Sequence, residues 1–283
     1  MKNTFRKTLL STLIVPFVIG AQSASGALIT DWGYQVTNEL SDAVDVNNNA
    51  INAVNATDGD GNITSSTLTW GGDLGAGRSS LMIDGVSSNS GLLTDAGALQ
   101  TGNSIAGGVF IHGNNPIAGG GSLKSFNLNT MLTLTAAGSG VQQSLDPIVF
   151  PSFFKETDNT VALEDCVVTT STVACADIFT LGDLGVLNGN SLTIASPSFT
   201  IDDYVYTVLL ELTDLTALSP SVCAAAGASA GCLGFVTEEK ATTAFNTRFS
   251  ITATQVPEPG TLALLGLGLA GLGLSRRKQA AKA

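Results

Sequence analysis

The sequence predicts an all-β protein whose body, residues 28–255, is a single antiparallel β-sandwich. Three observations carry this. Charged residues make up only 12% of the chain, with glycine contributing 32 residues; Glu and Lys, which favour helices, are scarce. Short apolar segments alternate with polar residues at period two and are separated by turn-forming residues. No run of ten or more body residues shows a helical face, except around 224–230, where Gly227 and Gly231 weaken it. A body of this length suits one large all-β domain, and no repeat of fixed period points to a solenoid or propeller.

The elements follow in order. Lys2, Arg6 and Lys7 form a charged start, residues 9–20 an apolar run containing Pro16, and residues 21–27 a small-residue stretch suited to signal peptidase. Residues 1–27 therefore read as a signal peptide, cleaved between Ala24 and Ala27. The apolar run is short for a hydrocarbon core of ~30 Å, which disfavours a retained N-terminal anchor. Strands are expected at 28–40, 67–70, 79–84, 126–135, 204–212 and 245–253. In the fourth, Phe126, Leu128, Leu132 and Leu134 share one face. In the fifth, Tyr204, Tyr206, Val208, Leu210 and Leu212 do so, as antiparallel sheets burying one face each require.

Cys166 and Cys175 are nine apart in sequence, as are Cys223 and Cys232. Four cysteines allow three pairings. The local ones, Cys166–Cys175 and Cys223–Cys232, are favoured because each closes a small loop rich in Thr, Ser, Ala or Gly. A zinc site would need closer thiolate spacing, C-x₂₋₄-C, and an exported chain meets an oxidising compartment.

Charge excludes one class of function. Seven of the twelve basic residues but only Glu258 of the 23 acidic ones lie in the two ends. The body keeps five basic and 22 acidic residues, a net charge of −17. Such a surface repels nucleic acid and anionic membranes.

Candidate chemistry is sparse. His112 is the single histidine, so any Ser-His-Asp arrangement has to use it, yet no G-x-S-x-G elbow is present and no acid partner is assignable. The structural reading has its ring nitrogens tying a Gly/Asn-Pro turn, built by Asn114, Asn115 and Pro116, to neighbouring carbonyls. Asp58, Asp60 and Asn62 alternate as calcium ligands do, but the EF-hand pattern fails at Ile63 and Thr69. A flexible loop is the expected reading, a looser Ca²⁺ site helped by Asp45 or Asn47 to Asn49 its rival. Trp32, Trp70, Tyr204 and Tyr206 would stack on sugar rings if exposed together, but in strands they are expected in the core. The pairs Glu164-Asp165, Asp202-Asp203 and Glu238-Glu239 are adjacent, and neighbours on a strand point to opposite faces, which suits no general acid/base couple. No enzyme, cofactor or metal is expected.

The end of the chain is the most informative segment. Pro257-Glu258-Pro259 cannot continue a helix. Residues 261–274 carry no charge, and Ser275-Arg276-Arg277-Lys278 supplies a basic end that stays cytoplasmic. Fourteen residues rise about 21 Å at 1.5 Å each, so starting at Pro259 and letting Arg276 and Arg277 snorkel brings the helix closer to a bilayer's thickness. Gly266, Gly268 and Gly271 also spell G-x-G-x-x-G, but a dinucleotide fingerprint needs a strand before it and an acidic residue about twenty positions after it, and the sequence ends first.

This order resembles the C-terminal sorting signal of PEP-CTERM proteins, which Gram-negative bacteria that make exopolysaccharide send to their surface. The resemblance assigns residues 256–283 to a sorting signal with a transmembrane helix at about 261–274. It implies recognition at Pro257, Glu258 and Pro259 by an exosortase, a membrane-embedded cysteine protease that removes the anchor. Asp31-Trp32-Gly33-Tyr34, Leu68-Thr69-Trp70, Arg78-Ser79-Ser80-Leu81, Ile111-His112-Gly113-Asn114, Phe153-Phe154-Lys155-Glu156-Thr157 and Cys175-Ala176-Asp177-Ile178-Phe179 further resemble blocks of its THxN subgroup. Here Ile111 stands where the subgroup has Thr. The resemblance implies a secreted protein, held transiently at the inner membrane and then placed at the cell surface or in the extracellular matrix with exopolysaccharide as partner. The alternatives are a carbohydrate-binding module using exposed aromatics and a secreted hydrolase using His112.

Overall fold

The computed structural model describes residues 26–118, 121–157, 163–168, 175–182, 191–196, 198–256, 267–269 and 271. Residues 1–25 of the expected signal peptide lie outside these, as do Pro257, Glu258, Pro259, Arg276 and Arg277.

The body is built from strands, as expected. In order they are β1 (Asp31–Asp45), β2 (Val54–Thr57), β3 (Ile63–Trp70), β4 (Gly72–Asp73), β5 (Ser79–Asp84) and β6 (Val86–Asp95). Next come β7 (Ser104–Gly113), β8 (Ile117–Ala118), β9 (Leu123–Ala136), β10 (Gln142–Ser144), β11 (Ile148–Lys155) and β12 (Asp177–Leu181). The last are β13 (Ser191–Ala195), β14 (Phe199–Ile201), β15 (Tyr204–Thr213), β16 (Thr216–Ala217), β17 (Leu233–Thr237) and β18 (Thr242–Gln255). The inward residues expected from alternation on β9 and β15 are all buried.

Sixteen strands form one hydrogen-bonded network, and β4 pairs separately with β8. One layer runs β16-β17-β12-β11-β9-β1-β6, and the other runs β18-β7-β5-β3-β2, with β15 on the far side of β18. Strand β6 joins them. Its earlier residues pair antiparallel with β1, while Thr94 and Asp95 run parallel to Ile251 and Thr252 of β18. The expected purely antiparallel sandwich is corrected at this corner. A strand that leaves one face for the other takes whatever direction its new neighbour offers, and the register shift between Trp32 and Tyr34 bends the β1–β6 pair near the crossing.

The layers meet through aromatic side chains. Phe110 of β7 lies 6.2 Å from Phe126 on β9 and 4.8 Å from Phe179 on β12, centroid to centroid, across the layers, and 4.7 Å from Phe245 beside it on β18. Each such ring, fully buried, contributes about 1.5–3 kcal/mol.

Helix α1 (Pro220–Ala226) begins earlier than the 224–230 region singled out in the sequence. Ser219 caps it by accepting from the Val222 amide, and Pro220 occupies the first turn, where a missing N–H costs nothing. Gly227, at φ 85°, stops it with a left-handed cap. The glycine that weakened the helical reading is therefore the residue that ends the helix. Among the described residues no helix is long and apolar enough to cross a membrane. Of the expected helix at 261–274, only Leu267 to Leu269 and Gly271 are described, helical and exposed.

Candidate functional site

Alternation along β7 turns Phe110 and His112 to the same inward face, and Asn114, just beyond the strand, is buried with them. His112 has no exposed surface. Its ring stacks on Trp70 at the end of β3, with centroids 5.9 Å apart and planes 12° off parallel, and meets the edge of Phe154 on β11 at 4.9 Å.

Polar partners come from the opposite layer, at strand ends. Thr237 closes β17, Asp177 opens β12, and Glu156 and Thr157 follow β11. His112 Nδ1 and Thr237 Oγ1 are 2.9 Å apart, and Asn114 Nδ2 donates to the Thr237 carbonyl at 3.1 Å. Trp70 Nε1 donates to Glu156 Oε2 at 2.6 Å. Asp177 Oδ1 accepts from the amide and the hydroxyl of Thr157, at 2.9 and 3.0 Å. His112 Nε2 stands 3.8 Å from Asp177 Oδ2, beyond hydrogen-bond length.

Burial sets the charge states. It pushes the His112 pKa down to about 3, so the ring is neutral. Burial pushes Glu156 up to about 7; the charge of Glu239 adds to this, while the Trp70 indole N–H and Asp177 oppose it. Burial, then the charge of Glu156, holds Asp177 well above the ordinary carboxylate range.

Thr237, His112 and Asp177 stand in the order nucleophile, base, acid, the arrangement a hydrolase reading requires. Sequence reasoning missed this threonine and carried Glu156 and Asp177 only within quoted blocks, without a role. However, Thr237, His112 and Asp177 are at most 1% exposed. None lines the two surface grooves, of ≈ 560 and ≈ 530 Å³. A ring that protonates near pH 3 is also a weak base, and Nε2 has no hydrogen-bonded orienting acid. The expected tie from the histidine to backbone carbonyls is corrected: its partner is a side-chain hydroxyl, and the carbonyl bond is made by Asn114.

The other sequence candidates are placed elsewhere. Trp32, Trp70, Tyr204 and Tyr206 are buried, with Trp32 Nε1 donating to Thr94 and the Tyr206 hydroxyl accepting from the Ile29 amide. They share no exposed face, Trp70 alone touching the ≈ 530 Å³ groove, which corrects the aromatic platform of the carbohydrate-binding alternative. Asp58 sits in the exposed β2–β3 turn, where its Oδ1 accepts from the amides of Asp60 and Asn62 and Asn62 Nδ2 reaches Oδ2 at 3.1 Å. Its carboxylate closes the turn itself, and those bonds lower its pKa. Among the described residues no three His, Cys, Asp or Glu side chains group as metal ligands. Both expected disulfides are formed, Cys166–Cys175 and Cys223–Cys232. The first adjoins the cluster, because the single Thr157 hydroxyl proton lies between Asp177 Oδ1 and the Cys175 carbonyl, each 3.0 Å from Oγ1.

The blocks quoted from the sequence thus converge. Trp70, His112, Asn114, Phe154, Glu156 and Asp177 come from four of them and meet in one buried cluster spanning both layers. Comparison with known families finds the PEP-CTERM protein-sorting motif at residues 255–278. No curated protein matches the chain. The motif marks a protein exported and targeted to exosortase, with its C-terminus as the anchor before release.

Proposed function

We propose that the body is a non-enzymatic cell-surface or exopolysaccharide-matrix protein, similar to the THxN subgroup, released there after exosortase processing. The sorting motif supports the route. The observation that carries the non-enzymatic part is the sealing of His112, Thr237 and Asp177 from solvent. In this reading the cluster is a polar clasp between the two layers, fixing how they register. Buried polar groups that must be satisfied together favour one packing over its neighbours. The acidic, disulfide-braced sandwich then acts as a durable module in the matrix.

The rival is a hydrolase using Thr237 and His112, which needs the layers to part. Purified exported protein and its His112→Ala variant are assayed against model esters, peptides and glycosides, while the culture is fractionated into cells, matrix and medium. The proposal expects no turnover above buffer and protein in the surface or matrix fraction. Turnover lost on His112→Ala, with the fold intact, would establish the hydrolase instead.

A further inference from the structure

The outward face of the first layer carries a groove that the sorting signal and the buried cluster do not use. Its floor is set by register. Gln35 on β1 lies opposite Ser87 on β6 and Thr133 on β9, and Gly33 lies opposite Thr135, which in turn faces Gln142 on β10. The intervening Val36, Leu132 and Leu134 point into the core, so these amides and hydroxyls point away from it. The β2–β3 turn, with Asp58, Asp60 and Asn62, forms a wall, and the space between is ≈ 560 Å³. That volume is in the range of ligand clefts. A second hollow shares Gln35, Asp58, Asn62 and Ser87 with it and extends past Gly85 and Val86, so the groove is elongated.

The lining selects its occupant by chemistry. It contains no Lys or Arg, and the body around it is strongly acidic, so a polyanion is repelled. Its one aromatic, Tyr34, is half-buried and packed on the core, and no other large apolar side chain lines it. A protein partner would lack the apolar anchor that interface centres need. What remains is a row of Gln, Asn, Ser and Thr side chains, each able to donate or accept. Sugar hydroxyls have the same double capacity. We propose that this groove binds a strand of neutral, hydroxyl-rich polysaccharide. The inference rests on the matrix reading above and gives its polymer a binding place, one that uses none of the buried tryptophans.

The test is affinity electrophoresis of the processed protein through gels containing a soluble glucan, galactomannan, xylan or the neutral exopolysaccharide of the producing bacterium, with alginate as the polyanion. At least one neutral polymer is expected to retard the protein, and alginate is not. Gln35→Ala combined with Gln142→Ala is expected to weaken retardation about tenfold, the effect of losing one or two hydrogen bonds, without changing Tm. Thr193→Ala, exposed on β13 of the other layer, is expected to change nothing. No retardation by any neutral polymer, retardation by alginate alone, or retardation indifferent to the double variant would each overturn the groove. Fractionation separates the two readings. A groove variant still held in the matrix removes the groove and leaves the matrix role. Wild-type protein free in the medium, with groove-dependent retardation in gels, does the reverse.

Discussion

His112 links the two layers through its bond to Thr237 and its packing on Phe154. Replacing it with Ala leaves Thr237 Oγ1 without its ring partner and opens space beside Trp70 and Phe154. The expected loss is about 1–3 kcal/mol from the unsatisfied group, read as a lower urea midpoint at unchanged slope. The protonation states give a pH signature of opposite signs. Glu156 titrates near 7 when folded, against an ordinary value of 4.5. Its contribution is therefore complete below about pH 4.5 and is lost as pH rises through about 7. His112 titrates near 3 when folded, against 6.5. The unfolded chain takes up that proton first, so stability falls as pH drops from 6.5 toward 3. Unfolding measured from pH 3 to 9 should show highest stability between these flanks. Glu156→Gln should make the alkaline decline shallower, by up to about 3 kcal/mol, leaving the part that the raised Asp177 carboxyl adds and leaving the acid side in place. An alkaline decline unchanged in this variant would assign it to Asp177 and other carboxylates instead. The loop that follows β7 was legible from Asn114, Asn115 and Pro116, next to His112. The histidine's partner Thr237 was not, being 125 residues away in sequence, and only the pairing of the two layers brings them together.

Among the elements, strands with uninterrupted alternation were the readable ones. β5 spans Ser79–Asp84, the segment expected, and β9, β15 and β18 extend their expected ranges by a few residues. β7 escaped because Gly107 and Gly108 break its period, at a bulge where β18 shifts register between Thr247 and Arg248. Gly108 has φ 125°, and an added Cβ would stand 2.3 Å from the Asp84 carbonyl oxygen. Gly108→Ala should therefore destabilise by several kcal/mol, about the sum of backbone strain and overpacking. A Tm within a degree or two of wild type would show that the bulge relaxes. Helix α1 is held differently. Val222 and Ala226 pack against Ile178 of β12, and Cys223 ties the helix to Cys232 before β17. Replacing both cysteines with Ala should cost about 2–3 kcal/mol by the loop-closure argument. Faster amide exchange in α1 than in β9 would localise the loss.

At the scale of the molecule, the residues that flank the body on either side, Gly26 and Val256, are tied to one turn. Asp203, between β14 and β15, accepts from the Gly26 amide through Oδ2 at 2.6 Å and from the Val256 amide through its carbonyl at 2.7 Å. No sequence pattern announces this, because it follows from β15 and β18 lying side by side, with Tyr204 opposite Gln255. The parallel β6–β18 corner was hidden for the same reason: it is a property of how faces close. The sorting motif, by contrast, was fully readable, since its recognition depends on contiguous residues and not on the fold. The matched motif starts at Gln255, the last residue of β18, so the final strand runs directly into the signal. A processing enzyme that reads Pro257-Glu258-Pro259 thus meets a folded body held one residue away from its motif. Changing Pro257 and Pro259 to Ala should leave the protein in the inner-membrane fraction at its unprocessed mass, with both disulfides formed and the same Tm in detergent. Weakening the fold instead, with His112→Ala, should lower Tm while leaving processing intact, because the motif is read as a linear segment. Release of the double proline variant at wild-type mass would mean that the cut is set by the helix and the basic end alone.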